Sequence, residues 1–107
     1  YLPDFPKSEQ NFRQAIKNDS KRPEVYVSLA ELYYYSYKEK ADLADNAYLE
    51  GLAANPDDEM LTRNLAAYYQ KIGDSVNAIQ WFKKLLKKNP SDASDIAALI
   101  TSLEKKN

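Results

Sequence analysis

A chain of 107 residues is one domain's worth of sequence, large enough to bury a modest core. Its 15 Lys and Arg against 16 Asp and Glu leave a net charge of -1, so there is no overall field to draw in nucleic acid or anionic lipid. The absence of Cys and His removes disulfides, thiol nucleophiles, imidazole bases and the usual ligands of zinc, copper and iron.

Oxygen ligands remain, yet Asp57, Asp58 and Glu59 are consecutive and not spaced as in a calcium loop. No metal or cofactor is expected. Nor is an enzyme, because no pair of carboxylates is placed across a recognisable cleft. No apolar run approaches the ~20 residues that span a bilayer, and no stretch reads as a signal peptide. The expectation is a soluble domain without membrane insertion of its own. The chain begins at Tyr1 and not Met, so it reads as compatible with a piece of a longer or membrane-anchored chain, and its compartment is open.

Gly51 and Gly73 are the two glycines, and apolar residues recur at three-and-four spacing instead of alternating, which predicts an all-α chain. Breaks at Pro3 and Pro6, at 18–23, 37–40 and 55–58, at Gly73-Asp74 and at 89–92 delimit about six helices. These fall near 7–18, 24–37, 41–54, 58–72, 75–88 and 93–105.

In chain order, the first helix carries Ser8 and Phe12, with Ser20 beyond its end. The second places Tyr26, Leu29, Ala30, Tyr33 and Tyr37 on one stripe and leaves Tyr34 and Tyr35 off it. The third carries Ala44 and Tyr48 and closes at Asn55-Pro56, since a residue before proline is pushed out of the helical region. The fourth carries Thr62, Leu65, Ala66 and Tyr69 and ends at Gly73, which can take a left-handed backbone. The fifth carries Ala78 and Phe82 before Asn89-Pro90, and the sixth the stripe Ile96, Leu99, Ile100 and Leu103.

Asn55-Pro56-Asp57-Asp58 returns 34 residues later as Asn89-Pro90-Ser91-Asp92, and a fixed period of this size marks helical repeat arrays. Tyr33 to Ala44 spans 11 positions where Tyr69 to Ala78 spans 9. The first copy therefore has two extra residues around 37–40, in a turn that tolerates them.

On these residues the chain resembles the tetratricopeptide repeat. One copy of its pattern is Tyr26, Leu29, Ala30, Tyr33, Ala44, Tyr48 and Pro56; the other is Thr62, Leu65, Ala66, Tyr69, Ala78, Phe82 and Pro90. In the second copy only Thr62 departs, standing where a bulky aromatic is usual. The resemblance covers nearly the whole chain and implies a right-handed α-α superhelix of stacked antiparallel helix hairpins forming one domain over 1–107. Its parts are the second helix of a partial repeat (1–22), a full repeat with the two-residue insertion (23–58), a second full repeat (59–92) and a capping helix (93–107). Small residues at Ala30, Ala44, Ala66 and Ala78 would let paired helices approach, while Tyr33, Tyr48, Tyr69 and Phe82 fill the space between hairpins. An ordinary bundle would also show amphipathic helices, but not this period.

The resemblance also implies a function, because first helices of successive hairpins line an inner groove that holds a peptide or protein segment. The groove residues would be Val27, Glu31, Tyr34 and Tyr35 from the first full repeat and Arg63, Asn64, Ala67, Gln70 and Lys71 from the second, with Ala97 and Thr101 from the cap. Arg63, Asn64, Gln70 and Lys71 would donate to a carbonyl or carboxylate. Tyr34 and Tyr35 would supply apolar area. A clamp for a C-terminal carboxylate, used by part of the family, is not expected: only Asn64 fills a matching slot, and Val27, Glu31 and Ala98 stand in the others. The partner's identity is not written in the sequence. The alternative is a structural spacer or self-assembly unit of a larger repeat protein, motivated by the half repeat at 1–20.

Charge is unevenly spread. Residues 39–59 hold seven acids and one Lys, and 60–89 hold six bases and one acid. Lys83, Lys84, Lys87 and Lys88 are expected on the outer side, flanking Asp42, Asp45 and Glu50 of the adjacent hairpin. They would form either a solvated face with cross-helix attraction or an electrostatic site for an acidic partner or a membrane surface.

Overall fold

The punctuation by proline, asparagine and glycine translates into six α-helices in the computed structural model, which describes residues 4–105 and has no strand among them. They are α1 (Phe5–Asn18), α2 (Pro23–Glu31), α3 (Ala44–Ala54), α4 (Glu59–Lys71), α5 (Ser75–Leu86) and α6 (Ala93–Lys105). The break expected at Pro3 lies outside the described residues, as does the end of the capping segment at Lys106 and Asn107.

Local chemistry accounts for the ends. Asp4 caps α1, its carboxylate accepting from the Lys7 amide at 3.0 Å, and Asp74 caps α5 by accepting from the Asn77 amide at 3.2 Å. Gly73 sits at φ 84°. Its amide donates to the Gln70 carbonyl (3.1 Å) and the next amide, of Asp74, to Tyr69 (2.9 Å). This is the paired closure that needs a left-handed residue after a helix.

The second helix is where the expectation over 24–37 needs correction. The α form stops at Glu31, a single π turn covers Leu32–Ser36, and a 3-10 stretch over Lys38–Leu43 delays α3 to Ala44. The two inserted residues are the physical reason. A wide turn, closed by the Tyr37 amide on the Leu32 carbonyl at 2.7 Å, and a break at Lys40 (φ -117°, ψ 20°) take up the slack, so the apolar stripes on either side keep their faces inward.

The repeated Asn-Pro pairs close differently. Asn55 has a negative φ of -135° with ψ 69°, and its side-chain amide donates to Ser20 (3.0 Å) and Gly51 (3.2 Å) carbonyls. Asn89 is left-handed at φ 55°, a conformation asparagine tolerates better than most residues.

The chain divides into two compact units with the boundary between Leu61 and Thr62. In the first, α2 packs along α3. Asn55 reaches Ser20, and Lys21 reaches the Ala54 carbonyl at 2.5 Å, so the start of α2 meets the end of α3 and the two run antiparallel. Their approach is close: a Cβ on Gly51 would lie 2.8 Å from Tyr26 Cγ and 2.9 Å from its Cβ. Tyr26, Leu29, Ala30, Tyr33, Ala44, Ala47, Tyr48 and Leu61 are buried. Helix α1 packs on α2 and the π turn yet buries none of its own residues, Phe12 and Ile16 remaining half-covered. In the second unit α5 packs on α6, and Leu65, Ala66, Tyr69, Ala78, Phe82, Leu85, Ile96, Ile100 and Leu103 are buried. Thr62, in the slot that departs from the repeat pattern, is 2% exposed.

Candidate functional site

In the first unit the expected groove residues run from α2 into the π turn. Val27 is half-buried, Glu31 exposed, Tyr34 half-buried, and Tyr35 exposed at 52%. The tyrosine rings meet edge to face, centroids 4.9 Å apart at 79°, a favourable arrangement of ring quadrupoles. Lys38 joins them, its Nζ donating to the Tyr34 carbonyl at 2.9 Å and lying 5.5 Å from the Tyr34 ring centroid. It stands four residues from Tyr34, which is the signal that would have placed it in the expected set. An open cleft of about 550 Å³ borders the same turn, between Asp4–Pro6 and Ser36–Glu39.

In the second unit Ala67, Gln70 and Lys71 are exposed and Arg63 and Asn64 half-buried. Arg63 differs from the free donor expected. It holds Asp92, ahead of α6, through two hydrogen bonds of 2.8 and 2.9 Å, and this fork keeps the Asp92 carboxyl below the usual carboxylate range. The pairing crosses 29 positions, beyond the reach of helical spacing. Ala97 and Thr101 of α6 are exposed, the Thr101 hydroxyl donating to the Ala97 carbonyl at 3.2 Å.

A polar network in the first unit has no counterpart among the expectations. Tyr33, 1% exposed, donates its hydroxyl to Glu9 Oε2 at 2.5 Å and accepts from Arg13 Nη2 at 3.3 Å. Lys40 Nζ meets both Glu9 oxygens at 3.0 and 3.1 Å, and Arg13 Nη1 pairs with Glu50 of α3. The Tyr33 hydroxyl, helped by Lys40 and Arg13, holds the Glu9 carboxyl below its ordinary range, whereas burial first, and then the bond to Glu9, push the Tyr33 phenol up. A tyrosine this deeply buried needs a partner for its oxygen. The one sequence cue is the four-residue spacing of Glu9 and Arg13 on α1.

On the outer helices Glu50 is engaged by Arg13, and Lys83 lies 3.4 Å from Glu104 of α6, each inside its own unit. Lys84 Nζ sits 4.0 Å from the Trp81 ring centroid, a cation-π contact. Among the described residues no group of carboxylates could hold a metal ion, and no helix is long and apolar enough to cross a membrane. No protein-family model matches the chain, and no curated protein matches it either.

Proposed function

We propose that the chain is a tetratricopeptide-type, non-catalytic interaction module in which the exposed positions of α2 with its π turn, and those of α4, contact a peptide or protein segment. One observation carries this reading. Along both elements the stripe that the repeat register turns into the core is buried, with Leu29, Ala30 and Tyr33 in one and Leu65, Ala66 and Tyr69 in the other. Of the nine positions that the register turns toward a partner, five are exposed: Glu31 and Tyr35 in the first, Ala67, Gln70 and Lys71 in the second. Exposed aromatics beside directional polar groups make low-entropy, specific contacts.

Site-specific photo-cross-linking tests it. A benzophenone side chain at Ala67 should capture a partner from the native extract, and the same group at Lys87 on α5 should not. Capture confined to Lys87 would overturn the reading.

A second reading, a spacer or self-assembly unit, draws on α1, the one described α-helix that buries no residue. Self-assembly predicts a mass that rises with concentration in light scattering.

A further inference from the structure

Val27, Glu31, Tyr35 and Lys38 follow one another at spacings of four, four and three, with Tyr34 beside Tyr35, across the junction of α2 with the π turn. Glu31 and Tyr35 are four residues apart, the spacing at which helical side chains are neighbours. Its carboxylate is exposed and takes no hydrogen bond or ion pair among the described residues. Cations already collect on the tyrosines of this unit, with Lys38 Nζ 5.5 Å from the Tyr34 ring centroid and Lys40 Nζ 5.4 Å from that of Tyr37, as the negative ring faces favour. The surrounding charge has the same sense, since residues 4–61 contain twelve Asp and Glu against seven Lys and Arg.

An exposed carboxylate one turn behind an exposed tyrosine, in an acidic unit, complements a flat cation. We infer that this face is a subsite for an arginine side chain of the partner segment: the guanidinium lies against the Tyr35 ring and its N–H groups donate to Glu31. Arginine fits better than lysine because its planar head can stack and fork at once. The inference rests on the groove reading and adds to the partner's chemistry an arginine at 27–38, beside the carbonyl or carboxylate expected at Gln70 and Lys71.

The test is an amide chemical-shift titration of the full chain with three capped hexapeptides, alternating leucine with arginine, with citrulline or with glutamate. The arginine peptide should shift amides of residues 27–38 and bind about fivefold more tightly than its uncharged citrulline counterpart. Glu31→Gln and Tyr35→Ala should each remove most of that difference, and Glu24→Gln, on the same helix, should not. Equal binding of the arginine and citrulline peptides across 27–38 and 67–71 would overturn the arginine subsite while leaving the groove in place. So would an unchanged preference in Glu31→Gln, or a glutamate peptide that binds 27–38 the more tightly. An arginine peptide that shifts none of residues 27–38 also overturns it, and the cross-linking at Ala67 and Lys87 then decides the groove separately.

Discussion

Tyr33 shows how much one hydroxyl organises. Its ring fills the core, as its place on the apolar stripe predicts, but its oxygen ties α1 to the π turn through Glu9 and Arg13. Tyr33→Phe should cost about 0.5–1.5 kcal/mol in urea melts at neutral pH. Because Glu9 is held below its ordinary value of 4.5, its contribution is present above that value and disappears as pH falls through the lower, folded-state value. The deficit of Tyr33→Phe should therefore shrink in acid, and Glu9→Gln should flatten the acid limb of the stability profile; an unchanged limb would count against the network.

Gly51 is the other residue whose role is steric. A methyl there would press on Tyr26 Cγ and Cβ, atoms close to the backbone that cannot swing away, so Gly51→Ala should destabilise by about 1–3 kcal/mol. Thirty-six residues after Tyr26 and thirty-four after Gly51 stand Thr62 and Leu85, both buried.

At the level of elements, the helices were legible because three-and-four spacing and Asn, Pro and Gly punctuation agree with one another. The π turn was not, since Leu32–Ser36 contains no breaker and its stripe continues through Tyr33 and Tyr37. The repeated Asn-Pro closures look alike in sequence yet differ in backbone. Asn89→Gly should be neutral or stabilising and Asn89→Ala should cost about 1–2 kcal/mol. Asn55→Gly should instead destabilise, because the Asn55 side chain bonds Ser20 and Gly51. Identical effects at both sites in thermal melts would contradict this assignment. Helix α1, with no buried residue, should have the least protected amides in hydrogen exchange, and raising salt should lower their protection further by weakening Arg13–Glu50 and Lys40–Glu9. Protection of α1 equal to that of α3 would refute it.

For the whole molecule, the apolar stripes at three-and-four spacing form the core of each unit. Glu31, Tyr35, Ala67, Gln70 and Lys71 lie off those stripes and are exposed. The engagement of Arg63 by Asp92 does not follow from that spacing, since it depends on where α6 begins relative to α4's side chains. Removing Arg63 would mix stability with binding, which makes Gln70 and Lys71 the cleaner pair to change. The most direct measurement is calorimetry of the cross-linked partner, once identified, against Gln70→Ala with Lys71→Ala and, separately, Lys83→Ala with Lys87→Ala on α5. The account predicts a loss of about 1–3 kcal/mol for the first pair and near-parent affinity for the second. Parent-like affinity in the first pair, with a loss in the second that fades at high salt, would contradict it.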